Sequence, residues 1–220
     1  MCGRYASFRE AQDLADSFSV DLVTPVAAGL APSWNVAPTQ AARIVTESVV
    51  DGRRVRVLDA ARWGLVPGWA KDPGIGARLI NARLETADTK PSFRGPLTYA
   101  RCVVPAEGYY EWQGAPGAKR PFYIARPDGK PLALAGLYSL WHDELLTFTI
   151  LTHEARGSLR EIHDREPVTL RTFDAWLDPT IRDRAQARAL AANNAVELTA
   201  RPVSSAVNAV RNNGPQLIAD

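Results

Sequence analysis

Histidine, cysteine, methionine and lysine are all scarce in this chain. Its 220 residues include three histidines, two cysteines, one methionine and four lysines, against 22 arginines. His142, His153, His163, Cys2 and Cys102 stand at no metal-ligand spacing, so no metal is expected. There is no P-loop, no Gly-x-Gly-x-x-Gly and no Gly-x-Ser-x-Gly elbow, and no organic cofactor is expected either. Long apolar runs are missing. The best stretch, from Pro131 to Trp141, is interrupted by Gly136 and Ser139 and is too short to span a membrane. No secretory signal is expected, because Arg4, Arg9, Glu10, Asp13 and Asp16 crowd the start; the expected place is the cytoplasm. Charge of one sign is also lacking. The net charge is +2, without a basic or acidic tail, and bulk charge alone does not point to nucleic acid. The excess of arginine suits phosphate recognition, and arginine-favouring codons explain it equally well.

What is present suffices for a core. Hydrophobic residues make up 46% and charged residues 23%, typical of a globular protein. That core needs no disulfide. Ser7 and Glu10 have capping-box spacing, followed by Phe8, Ala11, Leu14, Ala15 and Phe18 at helical spacing. Further helices are predicted within 172–177 and over about 180–192. Strands 42–50 and 53–60 flank Asp51-Gly52, and strands 122–126 and 132–138 flank Asp128-Gly129, so both pairs are predicted to be hairpins. Strands are also predicted over 145–152 and 196–202, and His142 is read as a turn residue. Cys102, in an apolar run, is expected to be buried. The expected fold is α+β: one compact domain over residues 2–220, built on a curled, mostly antiparallel, barrel-like sheet with a few short helices.

Four segments hold unusual chemistry. Cys2 directly follows Met1, and removal of that methionine would leave a free α-amine beside the thiol. The amine titrates near about 7.7–8.0 and the thiol near about 8.5, so both have reactive fractions at neutral pH. Such a 1,2-aminothiol condenses with an aldehyde, first as a Schiff base and then as a five-membered thiazolidine. It also suits an N-terminal nucleophile for acyl transfer. An ordinary terminal cysteine is the plain alternative. Asn81 and Arg83 lie two apart on an expected strand and share a face, so one can orient a polar atom while the other binds phosphate. A polar edge strand explains them equally well. In Val104-Pro105-Ala106-Glu107-Gly108-Tyr109-Tyr110-Glu111-Trp112 a carboxyl, Glu107 or Glu111, sits among aromatics, where desolvation raises its pKa for acid–base work; an aromatic-rich strand with solvated carboxylates is the alternative. His163 lies in Ile162-His163-Asp164-Arg165-Glu166-Pro167, a loop setting that favours function. Trp63 is assigned to the core, while Trp69, after Pro67-Gly68, is expected to be partly exposed, as a stacking platform for unpaired bases or as rim packing.

These segments, in this order, together with Asn35-Val36-Ala37-Pro38, Trp63 to Trp69, and Pro202-Val203-Ser204 through Asn213-Gly214-Pro215, resemble the SOS response-associated peptidase (SRAP) family of abasic-site processing proteins. The likeness covers almost the whole chain. It implies a protein that binds single-stranded DNA and captures abasic sites as a reversible covalent crosslink through Cys2. Asn81 would orient the reacting centre, Glu111 would transfer protons, and His163 would assist sugar ring opening and crosslink release. Arg4, Asn35, Pro38, Trp69, Arg83, Trp112 and Arg165 would contact DNA. Self-removal of Met1 as a peptidase and β-elimination at the lesion as a lyase are implied too. A monomer is expected, associated with the nucleoid when on DNA.

Two departures stand out. Glu166 replaces the family's usual methionine after His-Asp-Arg, and is expected to put a carboxylate near the DNA surface, weakening binding or altering the titration of His163. Ser205 stands where arginine is common, removing one phosphate contact. Two competing readings remain open: an N-terminal-nucleophile hydrolase or thiol peptidase that never uses DNA, and a non-enzymatic single-stranded DNA module.

Overall fold

A computed structural model describes residues 2–115 and 117–219. In chain order the elements are β1 (Tyr5–Ser7), α1 (Ala11–Phe18), β2 (Leu22–Val23), α2 (Pro25–Ala28), β3 (Ser33–Val36), β4 (Ala41–Val50), β5 (Arg53–Trp63) and β6 (Asn81–Arg83). There follow α3 (Arg94–Tyr99), β7 (Arg101–Ala106), β8 (Gly108–Gln113), β9 (Arg120–Ala125), β10 (Leu132–Trp141) and β11 (Leu145–Glu154). The last are β12 (Arg165–Pro167), β13 (Thr169–Leu170), α4 (Asp174–Leu177), α5 (Arg184–Ala192) and β14 (Thr199–Pro202).

The strands form two sheets. The larger runs β12-β11-β10-β7-β4-β5-β2 and curls until β11 meets β5 in parallel, Phe148 opposite Trp63. That extra pairing closes a ring of five strands, so the barrel-like, mostly antiparallel sheet is present. The smaller sheet, β14-β9-β8-β1-β3, packs against it. Alternation divides the core. Ile44, Trp63, Cys102, Val104, Leu134, Phe148 and Ile150 from the ring pack with Cys2, Tyr5 and Tyr109 from the smaller sheet. Val45, Leu58, Val103, Ala135 and Leu151 turn the other way, onto α1, α4 and α5. Cys102 and Trp63 are both buried, as their apolar settings predict.

Local chemistry explains several elements. Asp51 and Gly52 take φ of 50° and 76°, the left-handed pair that a tight two-residue hairpin requires, and β4 pairs with β5 along its whole length. His142 and Asp143 also take left-handed φ, 51° and 58°, in the three-residue turn between β10 and β11. Asp183 caps α5 by accepting from the Gln186 N–H at 2.7 Å. α1 buries Ala11, Leu14, Ala15 and Phe18, the expected face.

Two local expectations fail. The capping box does not form: Ser7 belongs to β1, opposite Ser33, and Glu10 is itself the N-cap, without a side-chain cap. The second hairpin does not form either. β9 pairs with β8 and β14, whereas β10 pairs with β7, β11 and β13. The Asp128-Gly129 turn therefore carries the chain from one sheet to the other, with Pro127 and Pro131 at the strand ends.

Candidate active site

Cys2 leads into β1, and its side chain is fully buried in the core between the sheets. The only hydrogen bond its sulfur makes among the described residues runs to the Arg4 carbonyl at 3.9 Å. Burial pushes the thiol pKa well above its ordinary value, and the nearby Glu111 carboxylate adds to the shift. The resting sulfur is therefore a thiol.

Asn81 comes from β6, a three-residue strand parallel to β11. Ala82 points into the helical-side core, which leaves Asn81 and Arg83 on the opposite face. Asn81 Nδ2 donates to the Cys2 carbonyl at 2.7 Å. Its Oδ1 is buried and has no partner among the described residues, an acceptor held at the base of Cys2.

Glu111 sits on β8 opposite Phe122 of β9, on the same face as Tyr109. It is only 3% exposed. Burial drives its pKa up, and the opposing pull of charges that include His163 is smaller. The carboxyl thus keeps its proton to higher pH than a solvated glutamate, which suits a group that first gives a proton and then takes one back.

His163 follows a 3₁₀ turn at Gly157–Glu161 and precedes β12. Its Nδ1 accepts from the Arg165 N–H at 2.9 Å and lies 2.7 Å from Asp164 Oδ1. One ring nitrogen cannot serve both contacts at once: without a proton Nδ1 accepts from Arg165, and with one it donates to Asp164.

Glu111 and His163 line one open cleft of about 550 Å³, together with Arg4, Trp112, Gly117, Lys119 and Asn208. Cys2 adjoins it through its electrostatic coupling to Glu111, and Asn81 adjoins Cys2. The four residues expected to act together are therefore neighbours. Among the described residues, no three His, Cys, Asp or Glu side chains converge as a metal site.

The expected DNA contacts divide. Trp112 lines the cleft and donates from Nε1 to Asn208 Oδ1 at 2.7 Å. Arg4 lines it too, but its guanidinium also holds Asn35 Oδ1 and the Val207 carbonyl, both at 2.9 Å. Arg83 is exposed. Trp69 is 61% exposed, as expected, and stands outside the cleft lining together with half-buried Pro38. Arg165 is forked onto Glu85 at 2.8 and 2.9 Å, so its charge is already paired. Asn35 corrects an expectation. It is 2% exposed, and its amide nitrogen reaches the carbonyls of Val207, Ala209 and Asn212. It fastens the C-terminal segment and presents nothing to a ligand.

The SOS response associated peptidase (SRAP) family model matches residues 1–210. The chain belongs to the SRAP family. It is 41% identical to the abasic site processing protein YoqW of Bacillus subtilis, with 99% of each chain covered. It is 33% identical to the abasic site processing protein YedK of Escherichia coli, again with 99% of each covered. Against the abasic site processing protein HMCES of Gallus gallus, identity is 35% over 74% of this chain and 57% of that one. A crystal structure of a protein from Bacteroides thetaiotaomicron superposes with a TM-score of 0.83 at 23% identity, covering 99% of this chain and 98% of that one; it shares the fold.

Within the family pattern, Glu166 behaves differently from expectation. It is buried, accepts from Arg156 Nε at 2.6 Å and lies 3.4 Å from His153 Nε2 across the β11–β12 pair. Its charge is neutralised and turned inward, so it adds no carboxylate to the outer surface. Ser204 caps its own 3₁₀ turn by accepting from Ala206 N–H, and Ser205 is exposed beside it. Gly117, Lys119 and Asn208, which also line the cleft, escaped assignment from sequence. Lys119 lies in the β8–β9 connection, and its only sequence signal is the rarity of lysine. Asn208 belongs to the closing segment, where no chemistry singles it out.

Proposed function

We propose that this protein processes abasic sites in single-stranded DNA by forming a covalent thiazolidine through Cys2, once Met1 is removed. The observation that carries the reading is a cleft with cationic and aromatic walls lined by Glu111 and His163, with buried Cys2, held by Asn81, behind Glu111. The family relatives named for abasic site processing support it.

The abasic sugar in its open form presents an aldehyde. The Cys2 amine adds to it, with Asn81 Oδ1 placed to accept an N–H and orient the nitrogen. His163 assists ring opening. Glu111, whose pKa burial raises, gives its proton in its acid form to the departing hydroxyl, and water leaves as the imine forms. The carboxylate so produced accepts the thiol proton, and sulfur closes the ring on the imine carbon. The positive imine offsets the burial that holds the resting sulfur as a thiol. Run backwards through the same groups, the sequence releases the lesion. β-Elimination from the imine gives lyase activity, and self-removal of Met1 is a peptidase step at the same residue. Arg4, Lys119 and Arg83 meet phosphates, while Trp112 and Trp69 stack with bases near the lesion. The protein acts as a monomer in the cytoplasm, at the nucleoid when on DNA.

Intact-mass spectrometry before and after incubation with an abasic oligonucleotide tests this. Loss of Met1 and gain of one oligonucleotide mass are expected, and Cys2→Ala abolishes the gain. An undiminished adduct in that variant refutes the thiazolidine. Peptide turnover without affinity for single-stranded DNA would favour a thiol peptidase. Equal binding of intact and abasic strands with no adduct would favour a simple binding module.

A further inference from the structure

Around Cys2 the hydrogen bonding is incomplete in a directed way. Tyr5 and Tyr109 are fully buried, and neither hydroxyl has a partner among the described residues. A buried unpaired hydroxyl costs stability, so two at one place call for a reason. The β1–β8 register sets Tyr5 directly opposite Tyr109, and both rings enter the core that contains Cys2. Tyr5 is fixed edge-on against Trp63, with ring centroids 5.1 Å apart, and the Trp63 indole N–H is itself anchored to the Ile80 carbonyl at 2.9 Å. These phenols have little freedom to look for acceptors elsewhere.

Burial is the main cause that raises both phenol pKa values; charge on Cys2 follows for Tyr5, and charge on Glu166 and then on Cys2 for Tyr109. Both phenols therefore remain protonated donors within electrostatic reach of the sulfur. A thiol is a poor acceptor, whereas a thiolate is a strong one. The resting S–H faces the Arg4 carbonyl. What is missing in the resting state is the acceptor, and ionisation of Cys2 would supply it.

We propose that the Tyr5 and Tyr109 hydroxyls are the hydrogen-bond donors that receive the Cys2 thiolate, and that they set the pH at which the sulfur becomes nucleophilic. The proposal rests on Cys2 being the nucleophile. In the closing step the thiol proton passes to the Glu111 carboxylate and the S–H pair stays on sulfur. Sulfur then bonds to the imine carbon, and the C=N π pair moves to nitrogen. The phenol O–H bonds do not break. Other ionisable groups facing this trio are Glu111 on β8, Glu107 between β7 and β8, Cys102 on β7, Glu166 on β12, and Arg156.

The test uses Tyr5→Phe, Tyr109→Phe and the double variant. Adduct formation on an abasic oligonucleotide is followed from mildly acidic to alkaline pH, beside thermal melting. Each single variant is expected to react about tenfold more slowly at neutral pH, with its profile displaced about one unit to the alkaline side. Melting temperatures should be unchanged or raised, since an unpaired hydroxyl has been removed. Wild-type rates and profiles in both variants would overturn the proposal, and so would a slower rate with an undisplaced profile. A second arm needs no DNA: iodoacetamide labelling of Cys2 against pH, read by peptide mass mapping. If the wild-type protein forms no adduct, the abasic-site reading fails by itself. Labelling then still decides the role of the phenols, displaced profiles supporting it and coincident ones overturning it.

Discussion

Arg43 reaches with its three guanidinium nitrogens to the carbonyls of Ala27, Arg9 and Leu30. Arg101 does the same at Trp176, Leu97, Thr98 and Asp178. Arg56 joins Glu47, Asp174 and the Phe18 carbonyl. Much of the arginine that composition suggested for phosphate thus binds the protein's own oxygens, because the planar fork can satisfy several carbonyls at a loop crossing. Arg43→Ala is expected to cost about 3 kcal/mol by leaving buried acceptors unpaired, measured by urea unfolding. Glu111 gives the opposite case. Its folded pKa is raised, chiefly by burial, so the folded state binds that proton more tightly than the unfolded chain does. Stability therefore falls as pH rises above the ordinary glutamate pKa, until the raised pKa is passed. Glu111→Gln should match or exceed wild-type stability at neutral pH, with the difference vanishing in acid, while adduct formation drops about a hundredfold. The desolvation of Glu111 was legible from its aromatic neighbours. The inward turn of Glu166 was not, because it follows from the β11–β12 pairing, which sets Glu166 opposite His153 and brings it to Arg156 in the connection, and local sequence does not reveal that pairing.

Among the elements, those with self-contained signals were legible. α1 has its buried spacing, and β4 and β5 have a turn that needs two left-handed residues. β9 and β10 carry the same kind of turn signal at Asp128-Gly129, yet belong to different sheets. The second edge of β9 is taken by β14, which arrives from residues 199–202, and no local pattern announces a partner that distant. β6 was expected as a strand from Asn81 and Arg83, but its place in the sheet was not, because three residues are positioned by pairing with the distant β11. Gly108 shows how tightly β8 is set. A Cβ there would collide with the ring and hydroxyl of Tyr123, so Gly108→Ala should cost about 2 kcal/mol in urea unfolding through overpacking. Because Tyr109 and Glu111 follow on the same strand, adduct formation should slow in that variant too.

At the scale of the whole molecule, a net charge of +2 does not exclude a nucleic-acid partner, and a few cations at one cleft predict few phosphate contacts. Affinity then depends weakly on salt, since each contact to single-stranded DNA contributes roughly −0.7 to the logarithmic slope. Arg83→Ala should lower noncovalent affinity for an intact strand and flatten that slope by about 0.7, as read by fluorescence anisotropy across a salt series. Adduct formation at saturating DNA should hardly change. Under the proposed mechanism, charge that is modest in sum leaves recognition to the lesion's aldehyde more than to the backbone.

Arg4 lies two residues beyond Cys2, yet it grips the carbonyls of Val207 and Asn208, and Asn208 also closes one side of the cleft. Translation makes these partners about 200 residues apart. Residues 207 and 208 are made long after Cys2 and Arg4, so under the proposed mechanism the cleft beside Cys2 is not complete until that late segment docks on Arg4.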